Sequence, residues 1–166
     1  MKSVIDFTLS KASSVLKLWG TRMDYQKSAN LAEFNFDKVP SILVVDDDED
    51  NQLLLQYTIA MFGWTSIVAV DALSTIQLAK NHQPDLILLD IVLPDISGLQ
   101  IAAMLKQHKS TCRIPIVAVT GLAEEEEQDL ILNSGFDDYV LKPYQLETVY
   151  QVVVSNLKIN IVKQTA

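Results

Sequence analysis

Acidic, polar and basic side chains follow four short apolar runs of this sequence, each directly where its run ends. One run ends in Asp46, Asp47 and Asp48, and another ends in Asp90. A third run ends in Thr120, and a fourth is followed by Lys142; all of these side chains could bind a cation or a phosphate. Their common position predicts a single polar site, provided that the runs end at the same edge of one sheet.

The apolar runs themselves are typical of buried parallel strands. They cover residues 42–45, 65–70, 86–89, 116–119 and 139–141, and segments with helical spacing follow them at residues 51–62, 71–81, 98–109, 123–133 and 146–157. Because the runs are continuously apolar rather than alternating, both faces of each strand are expected to be covered. The sequence therefore predicts a doubly wound α/β domain with a five-stranded parallel sheet, whose binding site lies beyond the carboxyl ends of the strands.

Carboxylates crowded at one edge of such a sheet repel each other. Two of them about 4 Å apart cost on the order of 4 kcal/mol at an effective dielectric constant near 20. A bound cation would offset that repulsion, and Mg²⁺ is favoured because it prefers oxygen ligands and keeps waters that phosphate oxygens can replace. Lys142 supplies a further positive charge.

The start of the chain differs from the rest. Residues 1–38 carry 6 basic and 4 acidic side chains, whereas residues 39–166 carry 7 basic and 17 acidic ones. Apolar residues of the first segment fall on one helical stripe: Val4, Ala12, Val15, Trp19 and Met23. The sequence predicts an extra N-terminal amphipathic helix with a connector over residues 1–38, a domain over residues 39–158 and a short tail over residues 159–166.

Composition argues against several classes of function. The 166 residues have a formal net charge of −8, which disfavours binding to nucleic acid through its phosphates. The single cysteine, Cys112, excludes a disulfide within the chain and a four-cysteine metal site. There is no apolar run of about 18 residues, and Asp6 and Lys11 interrupt the stretch where a signal peptide would be apolar. A cytoplasmic protein without membrane contact is expected.

Four segments of the sequence resemble the receiver domains of response regulators in two-component signal transduction. They are ILVVDDDEDN at residues 42–51, PDLILLDIVLPDISGL at 84–99, PIVAVTG at 115–121 and DDYVLKPY at 137–144. Their order and spacing match the family, and the resemblance covers residues 40–158. It implies a flavodoxin-like sheet with the strand order 2-1-3-4-5, as in chemotaxis regulators.

The resemblance also implies a role for each side chain at the strand ends. Asp90 is the phospho-acceptor, a carboxylate nucleophile that takes a phosphoryl group from a phosphohistidine. Thr120 hydrogen-bonds the new phosphoryl group, and Lys142 pairs with it. The implied ligands of a divalent ion, Mg²⁺ or Mn²⁺, are Asp46, Asp47, Asp90 and the backbone carbonyl of Val92.

Further positions follow from the same resemblance. Tyr139 is the aromatic switch residue, which turns inward as Thr120 moves, and the peptide bond before Pro143 is expected to be cis. Val92 and Leu122 stand where side chains of the family flank the approach of the hydrolytic water. Both are apolar and cannot orient that water by hydrogen bonding, so the aspartyl phosphate is predicted to be long-lived.

The resulting hypothesis is a stand-alone receiver that acts as a phosphorylation switch. Its phosphodonor would be a sensor histidine kinase or a histidine phosphotransfer protein. Output would occur by contact with an unidentified downstream protein or within a homodimer, because no room for a DNA-binding module follows residue 158. The protein is not expected to be an enzyme beyond its own phosphorylation and slow dephosphorylation.

Two alternatives remain open at this point. The first is a phosphorylation-independent scaffold on the same fold, against which the intact set of acceptor, acid pair, Thr120 and Lys142 argues. The second is a magnesium-dependent phosphatase-like enzyme or a nucleotide binder. A phosphatase of this kind would need an acid where Val92 stands, and no glycine-rich phosphate loop follows the first strand.

Overall fold

The computed structural model describes residues 38–121 and 125–157, and of residues 125–128 only the backbone. The predicted N-terminal helix, its connector, the C-terminal tail and Leu122 lie outside this part of the chain. The boundaries predicted for the three segments therefore stay predictions. Within the described residues, no helix is long and apolar enough to cross a membrane.

The described residues form one parallel sheet of five short strands. They are β1 (Ser41–Val45), β2 (Thr65–Ala69), β3 (Leu86–Asp90), β4 (Ile116–Thr120) and β5 (Asp138–Leu141). The strand order is β2-β1-β3-β4-β5, and every neighbouring pair is parallel. The predicted fold class and strand order are thereby confirmed.

A helix follows each strand. The helices are α1 (Glu49–Met61), α2 (Ala72–His82), α3 (Gly98–Gln107), α4 (Glu125–Asn133) and α5 (Leu146–Asn156). Asp71 caps α2, since its carboxylate accepts a hydrogen bond of 2.7 Å from the Ser74 amide. Helix α1 begins two residues earlier than the spacing predicted, because Asp48 caps it through the Asn51 amide.

The two faces of the sheet are both covered, which explains the continuous apolar runs. All five residues of β3 and all five of β4 are buried. On one face the strands pack against α2, α3 and α4 through a single core cluster that includes Leu43, Leu89 and Ile101. An aromatic cluster of Phe62, Trp64 and Tyr150 links the end of α1 to α5, with the Trp64 and Tyr150 rings stacked at 5.6 Å.

One exposed acid joins the starts of β4 and β5 to α3. The Asp137 carboxylate accepts hydrogen bonds from the Ile116 amide at 2.8 Å and from the Lys106 ammonium at 2.7 Å. The same ammonium donates to the carbonyl of Ile114 at 3.0 Å. These bonds fix the amino ends of both strands. They thereby help to fix the positions of the residues at the carboxyl ends of the same strands.

Candidate functional site

The register of the sheet brings the predicted side chains to one edge. Val45 pairs with Leu89, so that Asp46, directly after β1, lies beside Asp90, the last residue of β3. Thr120 ends β4 and pairs with Leu141, directly before Lys142. The amide of Lys142 also donates to the Thr120 carbonyl at 2.7 Å. Four of the predicted residues thus meet beyond the carboxyl ends of β1, β3, β4 and β5.

Lys142 connects the two buried carboxylates of this site. Its ammonium donates to Oδ2 of Asp90 at 2.6 Å and to Oδ2 of Asp46 at 2.9 Å. Burial lowers the pKa of Lys142, but hydrogen bonds and charges of Asp90 and Asp46 outweigh burial, so its pKa is raised overall. The lysine therefore stays charged and offsets part of the negative charge at the site.

Asp46 is held in place by its own backbone neighbours and by α1. Its side chain is 1% exposed, and its Oδ1 accepts from the Asp48 amide at 3.0 Å and from the Asn51 side-chain amide at 3.3 Å. The buried side chain of Gln52 donates to the Asp46 carbonyl at 2.7 Å. The sequence analysis missed Asn51 and Gln52, although both lie in the first two turns of a helix whose start follows the acids directly.

Asp90 is 7% exposed and presents its carboxylate to this edge of the sheet. Oδ1 accepts from the Val92 amide at 2.9 Å, while Oδ2 faces Lys142. Burial raises the pKa of Asp90, and the nearby Asp46 charge adds to this; Lys142 and the Val92 amide act in the opposite direction without cancelling it. The Asp90 carboxylate is thus oriented by two donors, and together with Asp46 it carries more negative charge than the one shared ammonium can offset.

Gly98 allows the loop after Asp90 to fold back under β3. Its amide donates to the Ile91 carbonyl at 2.8 Å. A Cβ at Gly98 would lie 2.2 Å from the Asp90 carbonyl oxygen and 2.8 Å from Cα of Ile91. Only glycine fits here without a shift of the backbone that carries the acceptor.

The remaining predicted residues occupy different surroundings. Asp47 and Val92 are exposed, with 67% of Val92 open to solvent, whereas Thr120 is fully buried. Tyr139 is half-buried and packs against the core cluster described above. The peptide bond between Lys142 and Pro143 is cis. Their roles as metal ligand, hydrolysis modulator and switch residues stay predictions.

The sequence model of the response regulator receiver domain matches residues 42–154. The chain belongs to this family. Response regulators of two-component systems are signalling proteins rather than conventional enzymes. The receiver covers all five strands of the sheet except the first residue of β1, and it includes Asp46, Asp90 and Lys142.

Three known proteins show how far the similarity of this receiver extends. The polar-differentiation response regulator DivK of Brucella ovis is 34% identical over 117 residues, which make up 70% of this chain and 95% of DivK. A two-component response regulator from Clostridium difficile is 32% identical with a TM-score of 0.66, covering 71% of this chain and 95% of that one. The receiver domain of the sensor histidine kinase PA1611 from Pseudomonas aeruginosa PAO1 shares the fold at 23% identity and a TM-score of 0.67, covering 72% of this chain and 98% of that one. Its crystal structure has a magnesium ion coordinated in the active site cleft.

The donor groups of the receiver described here fit a hard divalent cation. Within residues 38–121 and the described side chains after residue 128, no three His, Cys, Asp or Glu side chains gather into a metal cluster. Mg²⁺, however, is commonly bound by one or two carboxylates, with waters and phosphate oxygens in the other positions. Asp46 and Asp90 supply two carboxylates. Burial is the main cause that raises the pKa of Asp90, and the charge of Asp46, which adds to the increase, is of the sign that a cation would offset.

Proposed function

We propose that this receiver is a phosphorylation switch of a two-component phosphorelay, with Asp90 as the acceptor. The observation that carries the proposal is the ammonium of Lys142, which contacts the buried carboxylates of Asp90 and Asp46 at 2.6 and 2.9 Å. A carboxylate oxygen of Asp90 attacks the phosphorus of a phosphohistidine. The new O–P bond forms as the N–P bond breaks, and the imidazole nitrogen leaves with the bonding electron pair.

The side chains around Asp90 supply positioning and charge rather than a second covalent step. Phosphoryl transfer depends mainly on these two contributions. The Val92 amide and Lys142 fix the two oxygens of the acceptor at 2.9 and 2.6 Å. As the phosphoryl oxygens approach, Lys142 pairs with them. The hydroxyl of Thr120 donates a hydrogen bond to the transferred group.

The proposed metal site lies at the same edge of the sheet. Mg²⁺ or Mn²⁺ would be held by Asp46, Asp47, Asp90 and the backbone carbonyl of Val92. When bound, the ion would offset negative charge on the carboxylates and on the phosphoryl oxygens. Asp47 suits this role because it is exposed next to the buried Asp46 and can reach an ion from the solvent side.

The output of the switch is proposed to be protein–protein contact in the cytoplasm. A sensor histidine kinase or a histidine phosphotransfer protein is the phosphodonor, and the phosphorylated receiver binds a downstream protein or a second copy of itself. Thr120 and Tyr139 couple the site to the surface, since Tyr139 pairs with Ala118 two residues before Thr120. Phosphorylation would shift an equilibrium between two conformations of the receiver, and a full reversal of that equilibrium needs about 5.5 kcal/mol of differential stabilisation.

Incubation with acetyl phosphate tests the proposal without knowledge of the kinase. The protein is mixed with the phosphodonor in Mg²⁺ or in excess chelator, and the intact mass is followed over time. We expect one phosphoryl group on wild type in Mg²⁺, and much slower addition in chelator or on the Asp90→Asn variant. Wild type that gains no phosphoryl group would instead support the scaffold alternative.

A further inference from the structure

Asp95 joins the loop after the acceptor, over residues 91–97, to the start of α2. Its Oδ2 accepts a hydrogen bond of 2.9 Å from the amide of Ala72, the first residue of that helix. The first amides of a helix have no partner within the helix itself. Asp95 therefore supplies from another part of the chain an acceptor that the helix lacks at this position.

Two carboxylates share the free amides of this helix end. Asp71, directly before α2, accepts from the Ser74 amide at 2.7 Å. Hydrogen bonds with Ser74 lower the pKa of Asp71, and they outweigh the charge of Asp95, which raises it. The amides of Ala72 and Ile96 lower the pKa of Asp95. Both carboxylates are therefore charged at neutral pH, as the positive end of a helix dipole favours, but only the Asp95 carboxylate belongs to the loop after the acceptor.

The loop that Asp95 holds carries a donor to the acceptor. The Val92 amide donates to Oδ1 of Asp90 at 2.9 Å. The side chain of Val92 is 67% exposed, so burial of this side chain does little to fix the peptide. Further along the loop, Leu93 and Ile96 pack against the core cluster, and Asp95 adds the hydrogen bond to α2. The orientation of the Val92 amide thus depends on these anchors.

A bound ion does not replace the Asp95 anchor. The proposed ion would contact the backbone carbonyl of Val92, three residues before Asp95. The apparent affinity of a protein for a ligand falls with the fraction of molecules that already have the binding conformation. An anchor that keeps the loop in place before the ion arrives therefore lowers the ion concentration that the site needs.

We propose that Asp95 is a positioning residue of the phosphorylation site, which holds the loop over residues 91–97 in place for the acceptor and the ion. The inference rests on the proposed function and adds a residue to that same site. Asp95 contacts neither the ion nor the phosphoryl group, and none of its covalent bonds changes. It acts through the backbone of Val92, as a hydrogen-bond acceptor for the Ala72 amide rather than as a charge.

Three variants of the full chain separate the hydrogen bond from the charge and from the helix. Asp95→Ala removes the acceptor, whereas Asp95→Asn removes the charge but keeps an oxygen that can accept from the Ala72 amide. Asp71→Ala is the matched control, because it removes a carboxylate from the same helix end and leaves the bond between Asp95 and Ala72 in place.

The first measurement is the rate of phosphorylation by acetyl phosphate over a range of Mg²⁺ concentrations, followed by intact mass. We expect the half-saturating Mg²⁺ concentration of Asp95→Ala to rise about threefold to fivefold. A fivefold rise corresponds to about 1 kcal/mol, the usual contribution of a side chain that caps a helix. Asp95→Asn and Asp71→Ala should stay close to wild type.

Amide hydrogen exchange in excess chelator tests the loop without the ion or the phosphoryl group. We expect peptides that cover residues 91–97 to exchange faster in Asp95→Ala than in wild type. In Asp95→Asn and Asp71→Ala the same peptides should exchange as they do in wild type. Unchanged exchange in Asp95→Ala would overturn the inference and leave the proposed function intact.

The phosphorylation data can overturn the inference in three further ways. An unchanged half-saturating Mg²⁺ concentration in Asp95→Ala would show that the loop needs no such anchor. An equal rise in Asp71→Ala would show that the loss of a helix cap accounts for the effect. A rise in Asp95→Asn as large as in Asp95→Ala would show that the charge acts and not the hydrogen bond. If wild type itself is not phosphorylated, the proposed function and this inference fall together.

Discussion

The buried carboxylate of Asp90 affects how the stability of the protein depends on pH. Burial raises its pKa above the ordinary value of 3.8, and the charge of Asp46 adds to this increase. At pH values between the pKa of Asp90 in the unfolded chain and its higher pKa in the folded protein, the folded protein binds more protons than the unfolded chain does. This contribution therefore lowers the free energy of unfolding as the pH rises through that interval.

Replacement of Asp90 by asparagine should therefore stabilise the protein. Asp90→Asn removes the buried charge and leaves Lys142 paired with Asp46 alone, so we expect a higher unfolding free energy at pH 7. The gain should shrink as the pH falls toward 4, because Asp90 of wild type then becomes neutral. Urea titrations at several pH values measure both effects, with the exposed Asp129→Asn as control. A variant no more stable than wild type at pH 7 would contradict this account.

Val92 is predicted to influence the lifetime of the phosphorylated form. Its side chain is 67% exposed two residues after the acceptor, and it cannot hydrogen-bond a water. Val92→Asn supplies a group that can orient water, so we expect the phosphoryl group to be lost severalfold faster. The decay is followed by intact mass after removal of the phosphodonor. Val70→Asn, at an exposed valine after β2, should decay as wild type does; an unchanged half-life for Val92→Asn would refute the prediction.

At the scale of elements, the start of α3 is set by contact with β3. Gly98→Ala would place a Cβ 2.2 Å from the Asp90 carbonyl oxygen, and that neighbour is backbone rather than a flexible side chain. We expect the unfolding free energy to fall by about 1–3 kcal/mol, as is typical of overpacking. Gly121→Ala is the control, since no atom of the described residues lies within 4 Å of a Cβ there. Equal stability of the two variants would show that α3 can move away from the strand.

The elements could be predicted from the sequence to the extent that burial decides them. β3 and β4 are buried along their whole length, so their apolar runs gave both their type and their place. Helix ends were less predictable, because a single cap such as Asp48 moves the start of α1. The Asp71 cap was predictable because that side chain bonds to Ser74 within the first turn of its own helix.

The site residues at the strand ends could be predicted from the sequence, but the side-chain arrangement around them could not. Strand ends placed Asp46, Asp90 and Lys142 together, because parallel strands share one carboxyl edge. Two features carry no comparable signal in the sequence: the bond from Gln52 to the Asp46 carbonyl, and the buried hydroxyl of Tyr144, which has no hydrogen-bond partner among the described residues. Both depend on which way a side chain turns in the packed protein, which the spacing of apolar residues does not determine.

The whole molecule combines an acidic receiver with a basic segment of unknown role. Residues 39–166 carry ten more acidic than basic side chains, and three of those acids are Asp46, Asp47 and Asp90. Part of this charge thus belongs to the proposed site, where Lys142 and a divalent ion would offset it. Residues 1–38 have an excess of two basic side chains and an apolar stripe that suits a helix with a partner.

Removal of residues 1–38 should separate phosphorylation from contacts with other protein molecules. The chemistry of the proposal uses residues of the receiver alone, so we expect the shortened chain to be phosphorylated on Asp90 at the rate of the full chain. Its oligomeric state or its choice of partner should differ, as measured by light scattering and by pull-down with the phosphorylated protein. A shortened chain that stays folded by circular dichroism but cannot be phosphorylated would refute this separation.

The location of the phosphoryl group tests the central claim most directly. Wild type is phosphorylated with acetyl phosphate in Mg²⁺ and treated with borohydride, which reduces an aspartyl phosphate to homoserine, and the peptides are then sequenced by mass spectrometry. The account predicts homoserine at position 90 and at no other aspartate. Homoserine at Asp46 or Asp47 with Asp90 unmodified, or no modified aspartate at all, would contradict it.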